Sequence, residues 1–133
     1  MNDKKKYVEE LVRSFEPRLG KKKLTKRIVT HGKVKIAKAD FAQIFGILMD
    51  NAIKYSDKTI KLYLDEHALT ISNDGTIIKT DDLDKIFDRF YQVDKSAEGV
   101  GLGLSIAKSL ADRNGWELSA NSTKTMTNFV LKF

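Results

Sequence analysis

The chain has 133 residues, 41% of them hydrophobic and 32% charged, with no cysteine and one proline. That is the size and balance of a single globular domain, and the missing cysteine excludes a disulfide framework and a thiolate metal site. The net charge of +6 sits at one end: residues 1–40 carry 13 Lys/Arg against 5 Asp/Glu, the remainder 11 against 13.

Beyond Tyr7 and Phe15 the basic arm has no interleaved aromatic residues for stacking bases, so it reads as a solvated helix face and hairpin, with no nucleic-acid or membrane contact expected. No apolar run approaches the ~18 residues that span a bilayer. The N-terminus MNDKKKYVEE has no apolar signal core. The chain is expected to be soluble and cytoplasmic.

In chain order, Tyr7, Val8, Leu11, Val12 and Phe15 recur at helical spacing and predict a helix over 4–16. Leu24–Thr30 and Val34–Ala37 flank His31-Gly32-Lys33 and read as a hairpin. Phe41, Ile44, Phe45, Leu48, Ala52 and Tyr55 mark one side of a long helix over 39–55, with Asp40 as its N-cap. Ile60, Leu62 and Leu64 alternate with polar residues as a half-buried strand, and Leu69 and Ile71 supply the next. Asp81 and Asp82 open a short helix through Phe87. A further helix follows the glycines, with Leu102, Ile106, Ala107, Leu110 and Ala111 inward and Gly115 as its cap. Trp116–Ala120 and Phe129–Phe133 read as closing strands. The expected class is α+β, with helices on one face of a mixed, mostly antiparallel sheet.

Four stretches carry the chemistry. In ILMDNAIKYS, Asn51, Lys54 and Tyr55 fall at i, i+3 and i+4 on one helix face, an amide, an ammonium and a phenol together. In ISNDGTII, Asn73-Asp74-Gly75 leaves a strand and turns. In KIFDRFYQVD, aromatic residues end a short helix. In EGVGLGLSIAK, Gly99, Gly101 and Gly103 precede a helix, where each glycine costs about 0.5–1 kcal/mol relative to alanine inside a regular element. The loop is neither a dinucleotide fingerprint, since Leu104 stands at the third glycine position, nor a Walker loop, which needs Gly-Lys-Ser/Thr. It either only starts a helix or holds phosphate in another fold.

In this order the four stretches, above all NAIKYS, IFDRFYQVD and GVGLGLSIAK, resemble the ATP-binding catalytic domain of bacterial sensor histidine kinases. That superfamily also holds gyrase, a heat-shock chaperone and a mismatch-repair ATPase. The resemblance covers nearly the whole chain. It implies one catalytic domain over 1–133, a two-layer sandwich with three main helices on the sheet (the Bergerat-type fold), and ATP with Mg²⁺ as cofactors. By the same resemblance Asn51 ligates Mg²⁺, Lys54 touches phosphate and Tyr55 lines the pocket. Asn73 accepts from the adenine amino group, and Gly75 lets backbone approach the base. Phe87, Phe90 and Tyr91 anchor a lid over 92–100. Gly99, Gly101 and Gly103 turn backbone amides at a helix start toward phosphate. Ile78, Arg89, Leu102 and Leu104 complete the ATP-binding set, and no catalytic residue is assigned.

Asn73 stands where the family usually has aspartate, Ile77 where a second glycine is usual, and Gln92 where arginine is common, leaving Arg89 or Lys95 to supply charge. Ile47 occupies the place, one helical turn before Asn51, where the family's ATPases carry a glutamate that activates water; isoleucine cannot act as a base. Phosphoryl transfer needs no such group. The function expected is transfer of the γ-phosphoryl of Mg·ATP to a histidine, with a response regulator downstream. His31 and His67 lie in turns outside any acceptor motif. The accepting histidine is therefore expected on a separate dimerisation domain, preceding residue 1 of a longer, membrane-anchored kinase, and the isolated chain is expected not to autophosphorylate. A degenerate nucleotide-binding or interaction module without kinase activity is the alternative.

Overall fold

A computed structural model describes residues 4–29, 37–89, 91 and 102–133. The first helix, α1 (Lys4–Phe15), buries Val8 and Val12 one turn apart and ends in a 3₁₀ turn, Glu16–Arg18. Pro17, with no N–H to give, sits at the start of that turn. Strand β1 (Lys23–Ile28) follows. Helix α2 (Lys38–Tyr55) buries Phe41, Ile44, Phe45, Leu48 and Ala52 as its spacing predicts, and Met49 besides, while Tyr55, expected on the same side, is half-buried. Burying each of the five larger of these side chains, Phe41, Ile44, Phe45, Leu48 and Met49, contributes about 1.5–3 kcal/mol.

Strands β2 (Thr59–Leu64) and β3 (Ala68–Asn73), helix α3 (Thr80–Leu83), helix α4 (Gly103–Arg113) and strands β4 (Glu117–Ser122) and β5 (Thr127–Lys132) complete the described elements. The strands form one sheet in the order β1-β2-β3-β5-β4. β1 and β2 are parallel, with Leu24 opposite Ile60; the other pairs are antiparallel. A parallel pair needs a long crossover, and α2 lies in it. One face of the sheet, carrying Ile60, Leu62, Leu64, Leu69, Ile71, Leu118, Phe129 and Leu131, is buried with α1, α2 and α4. The α+β sandwich, three main helices on a mixed, mostly antiparallel sheet, is therefore the observed architecture.

Four local expectations change. Asp40 is not the N-cap of α2. Ala37 holds that place without a side-chain cap, and Asp40 accepts hydrogen bonds from Arg113 and Asn114 instead, tying the first turn of α2 to the end of α4. Ile106 is 40% exposed rather than inward, because the buried arc of α4 is centred on Ala107 and Ala111, and a neighbour in sequence lies about 100° away. The helix expected through Phe87 stops at Leu83 and continues as turns; it has no side-chain cap, and so short a helix gains little to offset nucleation. The closing strand begins at Thr127, ahead of Phe129. The described neighbour of β1 is β2, and the hairpin partner Val34–Ala37 lies outside the described residues except for Ala37.

Candidate functional site

Strand alternation builds the floor of the site. Along β3 the core-facing residues are Leu69, Ile71 and then Asn73; along β5 they are Leu131, Phe129 and then Thr127. Asn73 pairs with Thr127, and Thr127 with Ser122 of β4, so three polar side chains form a row where the apolar rows end. Asn73 is 3% exposed and Thr127 2%. Buried polar groups cost free energy unless paired. Thr127 donates from Oγ1 to the Thr76 carbonyl at 3.2 Å, and Asn73 donates from Nδ2 to the Asp74 carbonyl at 2.6 Å. The Ser122 hydroxyl is buried without a partner among the described residues. Thr127 and Ser122 were not among the residues singled out from the sequence. Their signal was a hydroxyl in phase with a core-facing row.

The turn after β3 is stitched to the end of α2. Asp74 Oδ1 accepts from the backbone N–H groups of Asp57, Lys58 and Thr59 at 2.9–3.0 Å. Those bonds, that of Thr59 foremost, hold its carboxyl below the usual carboxylate range, against the opposing effect of desolvation. Thr76 N donates to the Tyr55 carbonyl at 3.2 Å. Gly75 has φ +89°, and a Cβ there would stand 2.3 Å from the Tyr55 oxygen and 2.8 Å from the Asp57 nitrogen. This close approach is demanded by the chain's own backbone.

The polar face of α2 lies beside this floor. Asn51 and Tyr55 are half-buried and Lys54 is exposed, its ammonium 5.3 Å from the Tyr55 ring centre. One turn before Asn51, Ile47 meets the start of α4: a Cβ added at Gly103 would lie 3.4 Å from Ile47 Cγ2 and within 4 Å of nothing else among the described residues. Leu102 caps α4 without a side-chain hydrogen bond, and Ser105 turns its hydroxyl to the Leu102 carbonyl. The first backbone N–H groups of a helix have no intrahelical partner and favour an anion. The asparagine face and this positive helix end therefore adjoin.

The remaining predicted residues divide. Ile78 is buried beyond the stitched turn. Phe87 stands edge-on to Phe129, ring centres 6.3 Å apart. Tyr91 donates its hydroxyl to Asp82, which raises the phenol above its ordinary range. Arg89 lines a groove of about 490 Å³ along α4 with Leu102, Ser105, Ile106, Ser109, Leu110 and Arg113. Leu102 and Leu104 are half-buried at the helix start. Phe90, Gln92, Lys95, Gly99, Gly101 and the rest of the expected lid, 92–100, lie outside the described residues, as does His31.

An Mg²⁺ ion, implied by the resemblance, fits these donors. Asn51 offers a hard amide oxygen of the kind the ion accepts, and Mg²⁺ keeps waters and shares phosphate ligands. Among the described residues no group of three or more His, Cys, Asp or Glu could hold a metal. The remaining ligands at Asn51 would be phosphate oxygens and water. No helix among the described residues is long and apolar enough to cross a membrane.

Residues 36–133 match the family described as histidine kinase-, DNA gyrase B-, and HSP90-like ATPase. The sensor histidine kinase YkoH of Bacillus subtilis is 40% identical over 98 residues, which are 65% of this chain and 22% of that protein. The signal transduction histidine-protein kinase ArlS of Staphylococcus aureus is 39% identical over 100 residues, 68% of this chain and 22% of that protein. The chain thus spans about a fifth of the length of these curated relatives. Among solved structures, the catalytic domain of histidine kinase ThkA superposes with a TM-score of 0.83 at 21% identity, covering 99% of this chain and 92% of that one. Full-length ShkA in complex with AMPPNP superposes with a TM-score of 0.83 at 18% identity, covering 98% of this chain and 30% of that one. These two likenesses carry the fold.

Proposed function

Because the chain belongs to the family of histidine kinase-, DNA gyrase B- and HSP90-like ATPases, we propose that residues 1–133 are one ATP-binding catalytic domain of a two-component sensor histidine kinase. It passes the γ-phosphoryl group of Mg·ATP to a histidine on a dimerisation domain, which then supplies a response regulator. The domain works in the cytoplasmic part of a membrane-anchored kinase, with no membrane or nucleic-acid contact of its own.

The observation that carries this reading is the meeting of the Asn51 face of α2 with the uncapped start of α4 across Ile47 and Gly103. A metal-binding oxygen and free amide donors then converge on one set of phosphates. When bound, Mg²⁺ neutralises phosphate charge and polarises the transferring group. The chain's own part is positioning. Asn73 and Thr127 seat the base, Tyr55 flanks it, Lys54 brings positive charge, and the backbone of 99–104 receives phosphate oxygens. Among the described residues only Ile47 stands near the Cβ that Gly103 lacks, at an ordinary contact distance. Ile47 keeps the site free of a water-activating base, which favours transfer over hydrolysis. His67 lies in the turn between β2 and β3, and neither His67 nor His31 sits in an acceptor motif of the sequence, so the chain's own labelling is not expected.

Radiolabelled ATP tests this. The isolated chain should stay unlabelled, yet label a separately supplied histidine-bearing dimerisation domain. Asn51→Ala, still folded by circular dichroism, should abolish that transfer. Acid-labile label on His31 or His67, or undiminished transfer by the Asn51 variant, would overturn the assignment.

A further inference from the structure

An asparagine amide has two faces, one that accepts and one that donates, and which one meets a ligand depends on what holds the other. Asn73 Nδ2 donates to the Asp74 carbonyl at 2.6 Å. Reversing the amide would put two acceptor oxygens at that separation with no proton between them. The Asp74 carbonyl is itself immobilised. Asp74 N donates to the Thr59 carbonyl at 3.1 Å, and its Oδ1 gathers the N–H groups of Asp57, Lys58 and Thr59. Thr76, two residues on, is tied to Tyr55.

We propose that Asp74 is the specificity-determining positioning residue of this site: by fixing its own carbonyl it locks the Asn73 amide with oxygen toward the ligand, selecting an adenine over a guanine nucleotide. Adenine presents an amino donor at its 6-position, and guanine presents a carbonyl acceptor. The locked oxygen accepts from the first and repels the second. An unlocked asparagine would turn its NH₂ to guanine and lose the distinction. The inference rests on the proposed seating of the base at Asn73.

The test is calorimetric titration of the 133-residue chain with Mg²⁺ and non-hydrolysable ATP and GTP analogues. The wild-type chain should prefer the adenine analogue. Asp74→Ala should lower that ratio roughly tenfold, since a buried group that can turn over no longer rejects the wrong partner. Asp74→Asn should keep the ratio, because all three backbone donors converge on one oxygen. The double variant Asn73→Asp with Asp74→Ala should also keep it, because a carboxylate has no donating face to turn. An Asp74→Ala variant that weakens both nucleotides equally, or a double variant that loses discrimination as the single one does, would overturn the proposal. Should Asp74→Ala not fold, the wild-type chain still decides: the Asn73 side-chain amide must be protected from hydrogen exchange without nucleotide, and rapid exchange would overturn the lock. A chain that binds neither analogue would refute the nucleotide reading alone, and the exchange measurement would still judge the orientation.

Discussion

The two ends of the site are built differently. At the proposed base end the chain satisfies most of its own polar groups: Asn73, Asp74, Thr76 and Thr127 all have partners on the chain, the buried Ser122 hydroxyl lacks one among the described residues, and Gly75 is pressed against the end of α2. At the proposed phosphate end α4 begins without a side-chain cap, on a glycine whose missing Cβ would meet only Ile47 among the described residues. Shape before binding belongs to the first end and unspent donors to the second. In the proposed reading, the first end sets which base enters and the second how tightly phosphate is held.

The largest break in this contrast should come from Gly75→Ala. A positive φ and a 2.3 Å approach to the Tyr55 oxygen leave the new carbon no room, so thermal unfolding should show a loss of about 3 kcal/mol or more. An unfolding midpoint within two degrees of the wild-type value would refute a pre-built base end. Next is Asn73→Ala, which should weaken binding of an ATP analogue by about 1–3 kcal/mol, the effect of removing a buried polar partner. Calorimetry showing equal affinity would place the base elsewhere.

Gly103→Ala should act in the opposite sense to Gly75→Ala. Its Cβ meets Ile47 at an ordinary contact distance, so unfolding should change by no more than about 0.5 kcal/mol while nucleotide affinity falls by about 1 kcal/mol. A destabilised fold with normal binding would reassign Gly103 to helix packing. Smallest is an acid effect. Asp74 and Asp40 both titrate below the ordinary carboxylate range, Asp40 chiefly through hydrogen bonds from Asn114 and Arg113. A carboxyl with a depressed folded-state pKa contributes stability that is fully present above its unfolded value, about 4, and lost as pH falls through the folded value. Denaturant titrations of Asp40→Asn should therefore flatten the stability profile below pH 4 and leave its slope between pH 6 and 8 unchanged.

What could be seen in the sequence followed from periodicity. Helices α1, α2 and α4 and strand β2 carry repeats long enough to show their faces, and the Asn51-Lys54-Tyr55 grouping needs only helical spacing. Tertiary partners were hidden. Asp40 sits three residues past the cap because Arg113 and Asn114, more than seventy residues on, supply its bonds. Ile106 looks like a core residue until the neighbours of α4 are known. Thr127 was passed over because its hydroxyl interrupts an apolar alternation, yet that interruption is what places it beside Asn73. The parallel pairing of β1 with β2 depends on where the chain goes after β1, which no local pattern announces.

Trp116, the chain's single tryptophan, stacks edge-on against Phe41 and Phe133, with ring centres 6.5 and 5.8 Å away. It precedes Glu117, at the end of the sheet where Ala68 meets Lys132, and Asn73 lies at the other end of those same strands. Its fluorescence is thus a built-in gauge of the aromatic cluster that joins the first helix, the long helix and the last residue. Emission from this indole will shift when the domain unfolds and stay silent when nucleotide arrives, so stability and occupancy come apart in a single cuvette without any attached dye.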